Sequence, residues 1–183
     1  MRTKHVVLGS TMLVFAVSLS GLAADEKKSD APKEESVVAF DSKTRGALEV
    51  RTVSENSNHW FRVEQNGKQA YPAAPPLLNS TIELAPGAYS VFVNRTERKV
   101  TLEAGKKTVL WTGELMVEAA KGSTDFYAPF QGKDKKVTTA EPVVNSPIPL
   151  FAGTYTVKVF SIQKTRDLGS AEVKPGQRTV LKE

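Results

Sequence analysis

The stretch Pro76-Leu77-Leu78-Asn79-Ser80-Thr81-Ile82-Glu83-Leu84-Ala85-Pro86-Gly87-Ala88-Tyr89-Ser90-Val91-Phe92-Val93 is written a second time, without a gap, as Pro142-Val143-Val144-Asn145-Ser146-Pro147-Ile148-Pro149-Leu150-Phe151-Ala152-Gly153-Thr154-Tyr155-Thr156-Val157-Lys158-Val159. The shared pattern is P-Φ-Φ-N-S-x-I-x-L-x-x-G-x-Y-x-V-x-V, at a constant spacing of 66 positions. Upstream, Gly46-Ala47-Leu48-Glu49-Val50 matches Gly113-Glu114-Leu115-Met116-Val117, and His59-Trp60-Phe61 matches Asp125-Phe126-Tyr127. Downstream, Gly105-Lys106-Lys107-Thr108-Val109-Leu110 matches Gly176-Gln177-Arg178-Thr179-Val180-Leu181 at a spacing of 71, so the second copy carries five extra residues within Phe160 to Ser170. A register kept over most of a module is an internal repeat, and each copy is one structural unit.

Each unit reads as strands and turns. Tyr89, Val91 and Val93 alternate with Ser90, Phe92 and Asn94, and Tyr155, Val157 and Val159 alternate with Thr156, Lys158 and Phe160. Period two with aromatic and β-branched residues marks a half-buried strand. Gly87 and Gly153 stand just before these strands, where a turn with positive φ suits glycine. Gln65-Asn66-Gly67-Lys68 is a hairpin signal, and Gln131-Gly132-Lys133-Asp134 is its looser counterpart. No stretch after the N-terminal segment keeps a helical period. The expected fold is all-β, two tandem small antiparallel β-sandwich modules behind a signal peptide, with the first module at 44–112 and the second at 113–183. Almost no linker separates Leu110 from Gly113, which predicts a rigid, end-to-end or partly packed pair.

Residues 1–24 read as the signal peptide. Arg2, Lys4 and His5 form a basic start, Val6 to Leu19 is apolar, and Gly21-Leu22-Ala23-Ala24 supplies small residues for cleavage. The apolar core is short for a membrane span, and no later stretch is apolar enough to cross a bilayer, so no stable transmembrane span is expected after cleavage. The protein is expected to be exported, to the periplasm or outside the cell. Asp25-Glu26-Lys27-Lys28-Ser29-Asp30-Ala31-Pro32-Lys33-Glu34-Glu35-Ser36 lacks aromatic and β-branched residues, and 25–43 reads as a charged flexible tether.

Composition narrows the function. There is no cysteine among the 183 residues, which excludes disulfides, thiolate zinc sites, a cysteine nucleophile and a lipidated N-terminal cysteine. Without such staples, modules of this size gain from sharing buried surface. Loss of Arg2 and Lys4 with the signal leaves 23 basic against 20 acidic residues, a net charge of +3 that specifies no partner. Basic side chains are not clustered into a stripe with interleaved aromatics, so no nucleic acid is expected.

At Ala85-Pro86-Gly87-Ala88-Tyr89-Ser90-Val91-Phe92-Val93 the sequence resembles PEGA-type modules and the wider group of transthyretin-like, carboxypeptidase-regulatory-like β-sandwiches, whose hallmark is P-x-G-x-Y-x-V-x-V. The second copy departs from it, with Ala152 in place of the proline. The resemblance covers about a third of each module. It implies a β-sandwich fold and a role as an accessory, surface or spacing domain.

Catalytic, cofactor and metal sites are not expected. His59 is the only histidine left after cleavage, and Asp125 stands at its place in the second copy. A general base needs a nucleophile and an orienting acid beside it. The acids are scattered, so neither a glycosidase pair nor a dense calcium loop can be read. Asn79-Ser80-Thr81 and Asn94-Arg95-Thr96 match glycosylation acceptors. The candidates for ligand or partner contact are Trp60, Phe92, Tyr127 and Phe160. Adjacent aromatics in a strand point to opposite faces, so one of Trp60-Phe61 and one of Phe126-Tyr127 leaves its own core. Phe61 and Val63 predict one inward register in the first copy, whereas Phe126, Ala128 and Phe130 predict the other in the second, which leaves Trp60 ambiguous between exposure and burial. The expected function is a non-enzymatic exported binding or structural protein that meets a protein or cell-envelope component. The alternative is a carbohydrate- or envelope-polymer-binding module that stacks polysaccharide on Trp60 and Phe92.

Overall fold

The alternation at Tyr89, Val91 and Val93 forms a strand in which these three side chains are buried, and Tyr155, Val157 and Val159 form its repeat. A computed structural model describes residues 31–71 and 74–183, so the signal peptide and the start of the tether lie outside the described residues. The described chain is all-β. The first module contains β1 (Glu35–Ala39), β2 (Gly46–Arg51), β3 (Phe61–Gln65), β4 (Lys68–Gln69), β5 (Thr81–Leu84), β6 (Gly87–Val93), β7 (Thr96–Leu102) and β8 (Lys106–Trp111). The second contains β9 (Gly113–Glu118), β10 (Phe126–Gln131), β11 (Lys135–Lys136), β12 (Ile148–Leu150), β13 (Gly153–Phe160), β14 (Thr165–Val173) and β15 (Arg178–Lys182).

Each module packs two sheets around one core. In the first, β1-β8-β2-β5 faces β4-β3-β6-β7; in the second, β12-β9-β15 faces β11-β10-β13-β14. Pairing is antiparallel except at one place in each copy, where β2 runs parallel to β8 and β9 parallel to β15. Parallel neighbours need a long crossover, and the intervening strands of each module provide it. The five extra residues lengthen the β13–β14 hairpin, whose turn spans 161–164, and a bulge falls between Val157 and Lys158.

The repeated residues have matching jobs. The Tyr89 hydroxyl donates to the Ala85 carbonyl at 2.8 Å and that of Tyr155 to the Phe151 carbonyl at 2.6 Å, which closes the turn before each strand. Burial pushes the Tyr155 hydroxyl up to about 12. Asn79 and Asn145 adopt left-handed backbone, at φ 64° and 65°, and their side-chain oxygens accept from the Thr52 and Ala119 amides, both at 3.0 Å. Asn66 and Gly67 both have positive φ, as a tight hairpin turn requires. The expectation of positive φ holds at Gly87, at 153°, and fails at Gly153. At Gly153 space is tight instead, since an added Cβ would lie 3.3 Å from the Tyr155 hydroxyl.

Two departures from the expected layout concern the module ends. The segment expected to be a tether over 25–43 contains strand β1, which pairs with β8 from Lys106 to Leu110. Its Val37-Val38 pair suits an extended backbone, and the open β8 edge supplies the bonding partner. The modules also share a core. Phe151 belongs to the second module by sequence, yet it is buried among Leu48, Val93 and other core residues of the first. Its amide donates to the Thr96 hydroxyl at 3.2 Å, the Asn94 side-chain amide donates to the Pro149 carbonyl at 2.9 Å, and only Thr112 separates β8 from β9.

Candidate functional site

Aromatic side chains on the outer face of the β4-β3-β6-β7 sheet follow from the strand period. Phe61 and Val63 point into the core, so Trp60 and Arg62 point out. Trp60 is 45% exposed, forms an isolated bridge to Leu77, and lines a cleft of about 200 Å³ with His59, Thr138, Pro142 and Ile148 beside the module junction. Phe92 is half-buried, because the Arg62 guanidinium lies over its ring at 4.5 Å from the centroid. That cation covers one face of the ring.

The second copy repeats the geometry but changes the side chains. Phe126 takes the place of Trp60, is also exposed, and bridges to Val143 as Trp60 bridges to Leu77. Phe160 is half-buried and sits directly across from Phe126 on β13. The hairpin extended by the insertion adds Ile162, which is fully exposed. Together with Thr124, Asp125 and Ser161 these residues line a shallow cleft of about 390 Å³ at the free end of the molecule. Phe126, Val143 and Ile162 were not among the sequence candidates. A signal was present in the insertion, since an isoleucine among Ser161, Gln163 and Lys164 has no core to reach.

Tyr127 is a correction. It is buried completely, and its hydroxyl lies 2.8 Å from the Leu115 carbonyl and 2.7 Å from the Ser146 carbonyl, so it is a core residue and offers nothing to a partner. Burial pushes this hydroxyl well above the ordinary tyrosine value. The register expected from Phe126, Ala128 and Phe130 is likewise corrected: Tyr127 faces inward as Phe61 does, and Phe126 faces outward as Trp60 does. The physical reason is the tyrosine's reach. Its ring fills the core while its hydroxyl satisfies carbonyls beyond it, which the smaller phenylalanine cannot do.

The polar cluster at the junction is a hydrogen-bonded network across the two modules. Glu114 is almost wholly buried. It accepts from the Ser54 amide at 2.8 Å, the Thr52 hydroxyl at 3.2 Å, and Arg178 at 2.9 and 2.6 Å. Burial pushes its carboxyl up, but the hydrogen bonds from Ser54 and Arg178 and the charge of Arg178 outweigh this and hold it below 4.5. Glu49, packed against Arg51 and Lys107, is held low in the same way. His59 is half-buried in a shallow cleft with Ser57, Glu114 and Pro147. Burial lowers its affinity for a proton, against the Pro147 backbone and the Glu114 charge, so it is neutral at pH 7. The acid nearest in charge, Glu114, already spends its oxygens on Thr52, Ser54 and Arg178. Among the described residues no group of three histidine, aspartate or glutamate side chains has the spacing to hold a metal ion. Both glycosylation-type asparagines are engaged, Asn79 with the Ser54 and Glu55 carbonyls at 3.1 Å and Asn94 at the junction.

No protein-family model matches the chain, and no curated protein sequence does. Among solved structures, the Bacillus anthracis TIE protein is similar over 76% of this chain at 16% identity and a TM-score of 0.29. This chain spans about a third of that protein, 34% of its length. The major pilin from Streptococcus pyogenes is similar over 77% of this chain and 96% of the pilin, at 11% identity and a TM-score of 0.24. At such TM-scores neither likeness carries function to this chain.

Proposed function

We propose that this chain is an exported, non-enzymatic protein whose two fused β-sandwich modules act as one rigid unit that presents a docking surface to another protein of the cell envelope or the extracellular space. The observation that carries this reading is the apolar cluster of Phe126, Val143, Phe160 and Ile162 at the free end of the second module. Contiguous exposed apolar surface of this kind favours burial against a partner. The resemblance to PEGA-type and transthyretin-like modules supports an accessory role, and the N-terminal signal pattern supports export. Immobilised protein should recover a protein partner from envelope fractions, and a Phe126→Ser, Ile162→Ser double variant should lose it. Recovery of polysaccharide without protein, or equal recovery by the variant, would reject the reading.

A second reading has its own observation. Trp60 is exposed beside the 200 Å³ cleft and presents a ring to solvent, as a sugar-stacking platform requires. Phe92, under Arg62, is a poorer platform. Polysaccharide retention that Trp60→Ala abolishes and Phe92→Ala spares would favour this alternative.

A further inference from the structure

The repeat places β8 and β15 in the same position, each parallel to the first strand of its module, yet their outer edges differ. In β8 the Trp111 amide donates to the Glu34 carbonyl at 2.9 Å, so Lys107, Val109 and Trp111 direct their backbone groups toward β1. In β15, Glu114 donates to the Gln177 carbonyl at 2.8 Å and Glu183 to the Glu118 carbonyl at 2.9 Å. Alternation therefore turns residues 177, 179, 181 and 183 toward β9 and leaves the amides and carbonyls of Arg178, Val180 and Lys182 facing outward. These three match Lys107, Val109 and Trp111 of the first copy. Among the described residues β15 pairs with β9 alone.

We infer that the outer edge of β15 is a strand-addition site, which takes an extended segment of a partner protein in the antiparallel sense, with an acidic side chain two residues before an apolar one. This rests on the reading of the chain as a protein-binding unit and names a second surface of it. The chain itself shows that such an edge accepts an antiparallel strand, since Glu35-Ser36-Val37-Val38-Ala39 lies on β8 with Ser36 across from Val109 and Glu34 across from Trp111. Charge selects the occupant. Outward side chains of β15 are Arg178, Val180 and Lys182, and Lys182 is mostly free, with Glu118 no nearer than 4.0 Å. An acidic residue across from Lys182 and an apolar one across from Val180 satisfy both. A second copy of β15 does not: antiparallel pairing about Val180 sets Arg178, whose charge Glu114 already occupies, opposite Lys182 and so offers Lys182 no acid. Backbone bonds then supply affinity, and the charges supply choice.

A synthetic peptide of residues 33–40, Lys33-Glu34-Glu35-Ser36-Val37-Val38-Ala39-Phe40, is the probe, titrated against the full chain after export. Binding is expected, with the Val180 and Lys182 amides gaining hydrogen-exchange protection. Val180→Pro should weaken it by about tenfold or more, since it removes an outward amide and no bond to β9. Lys182→Glu should also weaken it, and a peptide with Ser36→Val should bind more tightly. Unchanged binding by Val180→Pro with protection confined to β8 would mean displacement of β1 and would overturn the inference, as would no binding at all. Self-association that Val180→Pro abolishes would give the edge to a second copy and reject a foreign segment. Should Val180→Pro fold poorly, the exchange pattern of the unaltered chain decides. Failure here leaves Phe126 and Ile162 untouched, so loss of peptide binding with retained partner recovery rejects the edge and spares the proposed function.

Discussion

Val109 and Val180 occupy the same place in two copies of one pattern, yet Val109 is 4% exposed and Val180 is 41%. Both stand on the outward side of a strand that runs parallel to the first strand of its module. The difference comes from β1, which lies along the first and has no counterpart on the second, and from the Glu49, Arg51 and Lys107 side chains, which close over the outer face near Val109. The junction shows the same asymmetry from the other side. Phe151 enters the core of the first module, whereas the matching residue at the far end of that module is Ala85, which has nothing to insert. Among the described residues, identical patterns thus acquire unlike surfaces because β8 has a strand on each side and β15 on one.

The hardest test of this contrast is Phe151→Ala. It empties a site in the first core and should cost about 3–5 kcal/mol, read by urea unfolding. Because the side chain comes from the second module, the single transition should also broaden or split as the modules uncouple. An unchanged midpoint would mean that the two cores are independent. Removing one partner of the junction ion pair is next. Glu114→Gln leaves Arg178 at a partly buried site without its charge partner and should cost about 1.5–3 kcal/mol.

Tyr127→Phe probes the inward register directly. It removes the one hydroxyl proton that the Leu115 and Ser146 carbonyls share, so a loss of about 1–3 kcal/mol is expected, while Phe126→Ser should change stability by under about 0.5 kcal/mol. Equal effects would contradict the register. The two valines give a matched pair with a smaller signal. Val109→Ala should cost about 1–2 kcal/mol and Val180→Ala about 0.5 kcal/mol or less, measured side by side. Acid sharpens the junction argument further. Glu114 and Glu49 are held below their ordinary value of 4.5, so the stability they add is complete above that pH and is lost as pH falls through their folded values. Thermal midpoints should therefore hold from pH 7 to about 4.5 and then decline, and Glu114→Gln should flatten part of that decline.

The fold was legible because its signals are local. Alternation at Tyr89-Val91-Val93 and Tyr155-Val157-Val159, the Asn66-Gly67 turn and the repeat itself depend on neighbours in sequence, and each appears where the pattern places it. The site was legible only in part. Trp60 and Phe160 lie on outward faces as strand period allows, but Tyr127 does not, because two adjacent aromatics look alike until one is seen to bond carbonyls beyond the core. Strand β1 was hidden for a related reason: Val37-Val38 suits a strand, but two valines behind a charged run show no alternation, and the β8 edge that pairs with them is distant in sequence.

By itself, then, the sequence determined that the protein is all-β and that one unit is written twice, since period, turn chemistry and repetition are properties of the chain. Tertiary structure alone decided which copies of equivalent residues are covered. Phe151 belongs to one module by sequence and to the other by packing, and among the described residues the β8 edge is covered by β1 while the outer β15 edge carries no strand. Burial is settled by what lies alongside in space, and residues repeated 66 or 71 positions apart carry no record of that neighbour.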